Sequence, residues 1–257
     1  MSQPLNTVAL VTGAGQGIGA AVARGLAVDG ARVVVTDRSA ADAESVAAAI
    51  GGPAVARALD VTDRDAVLEV VAGIEADVGP IGILVNAAGV LVPGPAVETD
   101  DETWDRTFAV NATGVFSVSR AVARCMTPRG AGSIVTIASN SAGVPRTGMA
   151  AYGASKAASA SFTRSLGLEL APHGIRCNVV APGSTDTAML RDLFAGDPDA
   201  ERRTIAGDLQ SFKPGIPLGR IATADDIADA VRFLVSDRAR HITMHDLYVD
   251  GGATLRG

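Results

Sequence analysis

Short β-branched, apolar runs alternate along the chain with longer alanine-rich stretches. The run at 8–12, Val-Ala-Leu-Val-Thr, ends in glycines, and the alanine-rich stretch at 20–29 behind it is closed by Gly30. A short apolar run bounded by turn residues is the pattern of a strand buried on both faces, and the longer stretches read as helices. Strands are expected at 8–12, 32–36, 54–59, 83–85, 133–138, 176–180 and 247–249. Helices are expected at 20–29, 40–50, 63–78, 101–126, 151–170 and 224–236, with Asp63 as a first-turn acid. Strict alternation predicts an α/β fold, a doubly wound parallel sheet with helices on both faces, which binds its ligand at the carboxyl ends of the strands. One long break, about 184–219, follows the carboxyl end of a strand and is expected to overhang the site as a short substrate lid.

No Pro/Gly/Ser-rich linker or charge run divides the 257 residues, so 1–257 reads as one catalytic domain. Apolar residues make up 47% but aromatics only 4%, which suits aliphatic strands covered by helices. A net charge of −6 gives no basic face for nucleic acid. No run approaches 18 apolar residues, so no membrane span is expected, and 1–6 lacks the basic and apolar regions of a signal peptide. Cys125 and Cys177 have no paired spacing and are expected to be reduced, as in a cytoplasmic protein. His173, His241 and His245 form no spaced cluster, and no metal site is expected.

Chemistry enters with the glycines. Thr12-Gly13-Ala14-Gly15-Gln16-Gly17-Ile18-Gly19 lies between the first strand and the first helix. Glycines there let the backbone turn and approach a pyrophosphate, and the helix N-terminus offers free N–H groups to it. This is the Rossmann-type arrangement; the bland alternative is a tight βα turn. Asp37 ends the second strand, where a carboxylate accepts from ribose hydroxyls and repels a 2′-phosphate, favouring NAD over NADP. Arg38 beside it could instead pair with a phosphate. Asp60 and Val61 are placed to meet an adenine edge, and Asn86-Ala87-Ala88-Gly89 would let the chain pass close to the cofactor.

Ser139 follows the fifth strand, Tyr152 comes thirteen residues later, and Lys156 is one helical turn beyond it. A free phenol titrates too high to act as a base at neutral pH, and a neighbouring ammonium is expected to lower it. Ser139 can hold the substrate oxygen in line with the phenol, and Asn111 can hold a water that links Lys156 to solvent.

Taken in order, the glycine loop, the Asn-Ala-Ala-Gly turn, Asn111, Ser139, the Tyr-x-x-x-Lys pair and Pro182-Gly183 resemble the signature of the short-chain dehydrogenase/reductase family over essentially the whole chain. The resemblance implies Ser139, Tyr152 and Lys156 as catalytic residues, with Asn111 completing a tetrad. It implies Gly13, Gln16, Gly17, Ile18, Gly19, Asp37, Asp60, Val61, Asn86, Ala87 and Gly89 at an NAD cofactor, with Tyr152 and Lys156. Pro182, Gly183, Thr185 and Thr187 are implied near the nicotinamide. Thr185 departs from the Val or Ile of many members. The resemblance also implies a homotetramer, and the alanines of 101–126 and 151–170 are expected on exposed faces that pack on a twin.

Stretches at 107–111, 148–158, 176–187, 212–222 and 241–252 are similar to a narrower group, the dehydrogenases of 2,3-dihydro-2,3-dihydroxybenzoate. Those enzymes oxidise the C3 alcohol of a cyclohexadiene carboxylate, and the ketone tautomerises to the catechol acid of siderophores. The 2-amino analogue, dihydro-3-hydroxyanthranilate, would need the same C3 chemistry. A 3-oxoacyl carrier-protein reductase and a non-catalytic family member are the other readings; Asp37 opposes the first and the intact tetrad the second. Asn140 departs from a member of the narrower group with an acidic residue after the serine. Between Ser139 and Tyr152 the one charged residue is Arg146, in a loop stiffened by Pro145. Its guanidinium suits a substrate carboxylate, with Met149 beside it; Lys213 is the competing anchor and a solvated loop arginine the bland alternative.

Overall fold

Seven parallel strands form one sheet in the order β3-β2-β1-β4-β5-β6-β7, in a computed structural model that describes residues 7–194 and 196–255. The signal-peptide reading of 1–6 lies outside the described residues. The strands are β1 (Val8–Thr12), β2 (Arg32–Asp37), β3 (Val55–Ala58), β4 (Ile81–Asn86), β5 (Gly132–Ile137), β6 (Ile175–Pro182) and β7 (Asp246–Val249). Strand order reverses between β1 and β4, and their paired ends, Thr12 opposite Asn86, open the crevice where such sheets bind ligands.

Successive residues of one strand serve opposite cores. Val11 and Val35 face a cluster with Leu26 of α1 (Gly17–Val28) and Leu234 of α9 (Ala224–Val235). Leu10 and Leu84 face Ile74 of α3 (Arg64–Asp77) and Met126 of α5 (Val115–Met126). Burial of both faces explains why these strands read as unbroken apolar runs; each fully buried Leu or Ile stabilises by about 1.5–3 kcal/mol. Two further helices complete this part of the fold, α2 (Ala40–Ile50) and α6 (Ala150–Leu170).

The structure corrects several details. α1 begins at Gly17, so the glycine loop itself forms the first helical turn. Asp63 is the N-cap of α3 rather than a first-turn residue, accepting from the amides of Asp65 and Ala66. The single helix expected at 101–126 is α4 (Asp101–Phe108), a π-helical stretch at Ala109–Gly114, and α5. Exposed faces of these helices and α6 carry Trp104 and Leu168 as their large apolar residues, at 44% and 67% exposure, whereas Ala121, Ala123, Ala151 and Ala160 are buried. The alanines of 101–126 and 151–170 divide: those four pack inward, Ala109, Ala112, Ala157 and Ala158 are partly exposed, and Ala154 is exposed. The 184–219 segment contains α7 (Ala188–Phe194) and α8 (Ala200–Ala206). Among the described residues no helix is long and apolar enough to cross a membrane.

Candidate active site

A cleft of about 520 Å3 opens at the carboxyl ends of the central strands. Ser139, Tyr152 and Lys156 line it together, with Ile18, Ala87 and Gly89 on one side and Pro182, Gly183, Thr185 and Thr187 on another. Arg146 and Met149 enter from the loop before α6, and Met189, Leu193 and Phe194 from α7.

Tyr152 stands in the first turn of α6 and Lys156 one turn on. Lys156 Nζ donates to the Ile137 carbonyl at 2.8 Å and lies 5.8 Å from the centre of the Tyr152 ring. Burial pushes Lys156 down to about 8. Burial also raises the Tyr152 phenol, and the Ser139 side chain pulls the other way. The expectation that the ammonium sets a lowered phenol pKa is therefore corrected. The same enclosure strips water from both groups, and desolvation disfavours phenolate as it disfavours ammonium.

Ser139 Oγ accepts from the amide of Ser141 at 3.1 Å and from its hydroxyl at 2.9 Å. Both bonds fill acceptor positions, leaving the Ser139 proton to donate outward. Ser141 was not singled out in the sequence; the Ser-Asn-Ser spacing, which favours a hydroxyl-to-amide turn, is its signal. Asn111 is fully buried in the π-helical stretch. Its Oδ1 accepts from the Val90 amide at 2.9 Å, and its Nδ2 donates to the Val90 carbonyl at 2.9 Å and to Ser155 Oγ at 3.0 Å. The Asn111 amide is thus occupied in fastening the 90s loop to α6.

The residues toward a dinucleotide divide by side chain and backbone. Gly17 takes φ +55 at the start of α1 and faces Thr187, whose Cγ2 would lie 3.4 Å from an added Cβ. Gly13 and Gly19 pack against protein backbone, and Gln16 is exposed without a side-chain cap bond. Asp37 accepts from the Gly15 amide at 3.0 Å and the Ser39 amide at 3.1 Å, tying the glycine loop to the end of β2. Asp60 accepts from the Thr62 amide at 2.9 Å and hydroxyl at 2.7 Å.

Two of the residues implied at the cofactor turn their side chains into the interior. Asn86 turns into the interior, donating to Ser119 at 2.9 Å, because β4 is central and its alternate residues face the helices. Val61 is buried against the end of the π-helical stretch, where a Cβ added to Gly114 would stand 2.6 Å from its Cγ2. Thr12, not singled out in the sequence, accepts from the Ala87 and Ala88 amides and fixes the turn after β4. Thr185 turns its hydroxyl back to the Gly183 carbonyl at 3.1 Å. An open helix N-terminus beside a strand-end carboxylate fits a dinucleotide.

Arg146 is half-buried, and the one hydrogen bond of its guanidinium among the described residues is a 3.4 Å contact from Nη2 to the Ala253 carbonyl. Gly94 donates to the Gly148 carbonyl at 3.0 Å, so the 90s loop and the arginine loop meet beside the cleft. Lys213 also lines it, as does Arg203, which is paired with Asp197.

Over residues 13–254 the chain matches the family described as enoyl-(acyl carrier protein) reductase. It is similar to a 2,3-dihydro-2,3-dihydroxybenzoate dehydrogenase of Bacillus subtilis, 55% identical over 251 residues, with 96% of each chain covered. An Escherichia coli protein of the same name is 45% identical, covering 95% of this chain and 96% of its own. A solved structure of a short-chain dehydrogenase/reductase family protein superposes with a TM-score of 0.87 at 37% identity, covering 99% of this chain and 100% of that one.

Proposed function

The chain belongs to the short-chain dehydrogenase/reductase family of oxidoreductases, and on that premise we propose that it oxidises the C3 alcohol of a 2,3-dihydro-2,3-dihydroxybenzoate-type cyclohexadiene carboxylate, using NAD. One observation carries the reading: the cleft that holds Ser139, Tyr152 and Lys156 also presents Arg146 among apolar walls that include Leu91, Pro93 and Ile216. A flat carbocycle with one carboxylate matches that combination. The 55% identity to a relative named for this reaction supports the same substrate class.

Ser139 donates to the substrate C3 oxygen, and Tyr152 takes the proton of that hydroxyl. When bound, a nicotinamide would accept the hydride that leaves C3. The resulting ketone shifts its C2 proton to oxygen and becomes the aromatic 2,3-dihydroxybenzoate, a catechol acid of the kind siderophores carry. Lys156, held near 8, exchanges a proton near neutral pH and lets the phenol reset. Asp37 selects NAD by accepting from ribose hydroxyls and repelling a 2′-phosphate. The working form is a cytoplasmic homotetramer.

The test mixes the protein with NAD and either 2,3-dihydro-2,3-dihydroxybenzoate or its 2-amino analogue, following NADH and the aromatic product together. NADH and 2,3-dihydroxybenzoate rising in step support the reading. No NADH from the hydroxy acid, or faster turnover of the amino acid analogue, overturns it.

A further inference from the structure

Three segments on one side of the cleft share a single buried side chain. Asp250 directly follows β7 and is 7% exposed. Its Oδ1 accepts from the Gly252 amide at 3.0 Å, closing the turn of the tail. Ala253, the next residue, presents the carbonyl that Arg146 touches. Asp250 Oδ2 accepts from Asn140 Nδ2 at 3.3 Å, and Asn140 is the neighbour of Ser139. The turn after β6 closes in from a third direction. Gly183 donates its amide to the Val249 carbonyl at 3.0 Å, and a Cβ on Gly183 would stand 2.6 Å from the Asp250 Cβ.

Among the described residues no Lys, Arg or His comes within ion-pair distance of Asp250. A buried carboxylate without a cation draws strongly on its few N–H donors, here Asn140 and Gly252. The Asp250 charge also steadies the Arg146 guanidinium against its partial burial. A carboxylate that only staples the tail would need Gly252 alone. The bond to Asn140 reaches instead to the residue beside the reacting serine, where a displacement of half an ångström is costly.

We infer that Asp250 is a positioning residue for the reaction, holding Ser139 in place through Asn140 and Arg146 through the tail carbonyl of Ala253. The inference builds on the proposed role of Ser139 as the group that holds the substrate oxygen.

The test exchanges the two ends of the bond. Asp250→Asn, Asn140→Asp and the double variant are assayed with 2,3-dihydro-2,3-dihydroxybenzoate and with neutral cyclohex-2-enol, beside Ser139→Ala, with melting temperatures recorded. Asp250→Asn should lower kcat about tenfold on both substrates through the displaced serine, and raise KM for the acid alone. Asn140→Asp sets two carboxyls against each other, so that the pair must share a proton, and should lower kcat about tenfold with a loss that deepens as pH rises. The double variant restores a carboxylate–amide pair with the roles reversed and should return kcat to within about threefold of the native value, by the logic of a double-mutant cycle. KM for NAD should not move. Native kcat in both single variants, or a double variant no better than Asn140→Asp, overturns the inference. If Asn140→Asp does not fold, Asn140→Ala removes only the donor; it should match Asp250→Asn in kcat, and a native kcat there also overturns it. Ser139→Ala separates the two claims: native turnover there defeats the serine's role, whereas an inactive Ser139→Ala beside a native Asp250→Asn defeats only the role of Asp250.

Discussion

Lys156 reaches from α6 to the carbonyl oxygen of Ile137, the last residue of β5, at 2.8 Å, with 4% of the lysine exposed. One carbonyl replaces little of an ammonium's hydration, so burial brings Lys156 from 10.5 to about 8. The unfolded chain holds that proton to higher pH, so this group's penalty is full below about pH 8 and is relieved as pH rises toward 10.5. Lys156→Met keeps the volume and removes the charge. It should melt above the native protein near neutral pH, with the gap closing toward about pH 10, while turnover is lost. Melting scans across that range check this; a variant less stable than the native protein near neutral pH contradicts it.

Tyr152→Phe removes the proton acceptor and little else. Turnover should fall by about a thousandfold or more with NAD affinity nearly unchanged, because the phenol acts on the substrate alcohol. In the native protein, oxidation should accelerate as pH rises toward about 10 and beyond, since only phenolate can take the substrate proton and burial raises the phenol above its ordinary value. A rate independent of pH between about 6 and 10 would remove Tyr152 from the role.

Asp37 has two tasks, as the acceptor that ties down Gly15 and Ser39 and as the residue expected to reject a 2′-phosphate. Asp37→Ala should narrow the preference for NAD over NADP by about tenfold or more, and Asp37→Asn, which keeps an acceptor for the amides, should weaken NAD binding less. Titrations of both cofactors against the three proteins decide it. Equal affinity of the native protein for NAD and NADP would defeat the assignment.

The parallel sheet with helices on both faces, the glycine loop and the Ser–Tyr–Lys cluster were legible because each has a local signature: alternating apolar runs and alanine-rich stretches, a glycine cluster after a strand, a one-turn spacing. The division of labour within the site was not. Asn86 lies in an Asn-Ala-Ala-Gly turn that suggests a ligand contact, yet the alternation of β4 sends its side chain into the core toward Ser119. Asn111 reads as a water holder, but its amide is taken up by Val90 and Ser155, residues 21 and 44 positions away. The phenol's rise followed from enclosure, which spacing along one helix cannot reveal. Asp250 escaped notice for a like reason, since its partner Asn140 is 110 residues distant.

The family resemblance implies a homotetramer, and Trp104 on α4 and Leu168 on α6 are the large apolar residues these helices expose. An interface there would join them into one covered apolar surface, which is what the measured oligomeric state decides. A homotetramer is the expected species, and light scattering at micromolar concentration checks it; Leu168→Glu should shift the population toward smaller species. A native protein that runs as a monomer refutes the assembly.

Arg146 offers the sharpest test of substrate class. It lies in the cleft wall with one long contact to the Ala253 carbonyl, so most of its donors have no partner among the described residues. Burial lowers its pKa, but guanidinium starts so high that it remains a cation at working pH. If it binds the carboxylate, Arg146→Met should cost roughly 1.5–3 kcal/mol, about ten- to a hundredfold in kcat/KM for the diene acid. The KM for NAD should barely move. A neutral cyclohexenol has no carboxylate to lose, so its oxidation should be unchanged. Lys213→Met provides the comparison from the 184–219 segment: a larger loss there than at Arg146 would transfer the anchor to the lysine. Equal losses on the acid and the neutral alcohol in Arg146→Met would make the arginine a support for the loop rather than a ligand for the substrate.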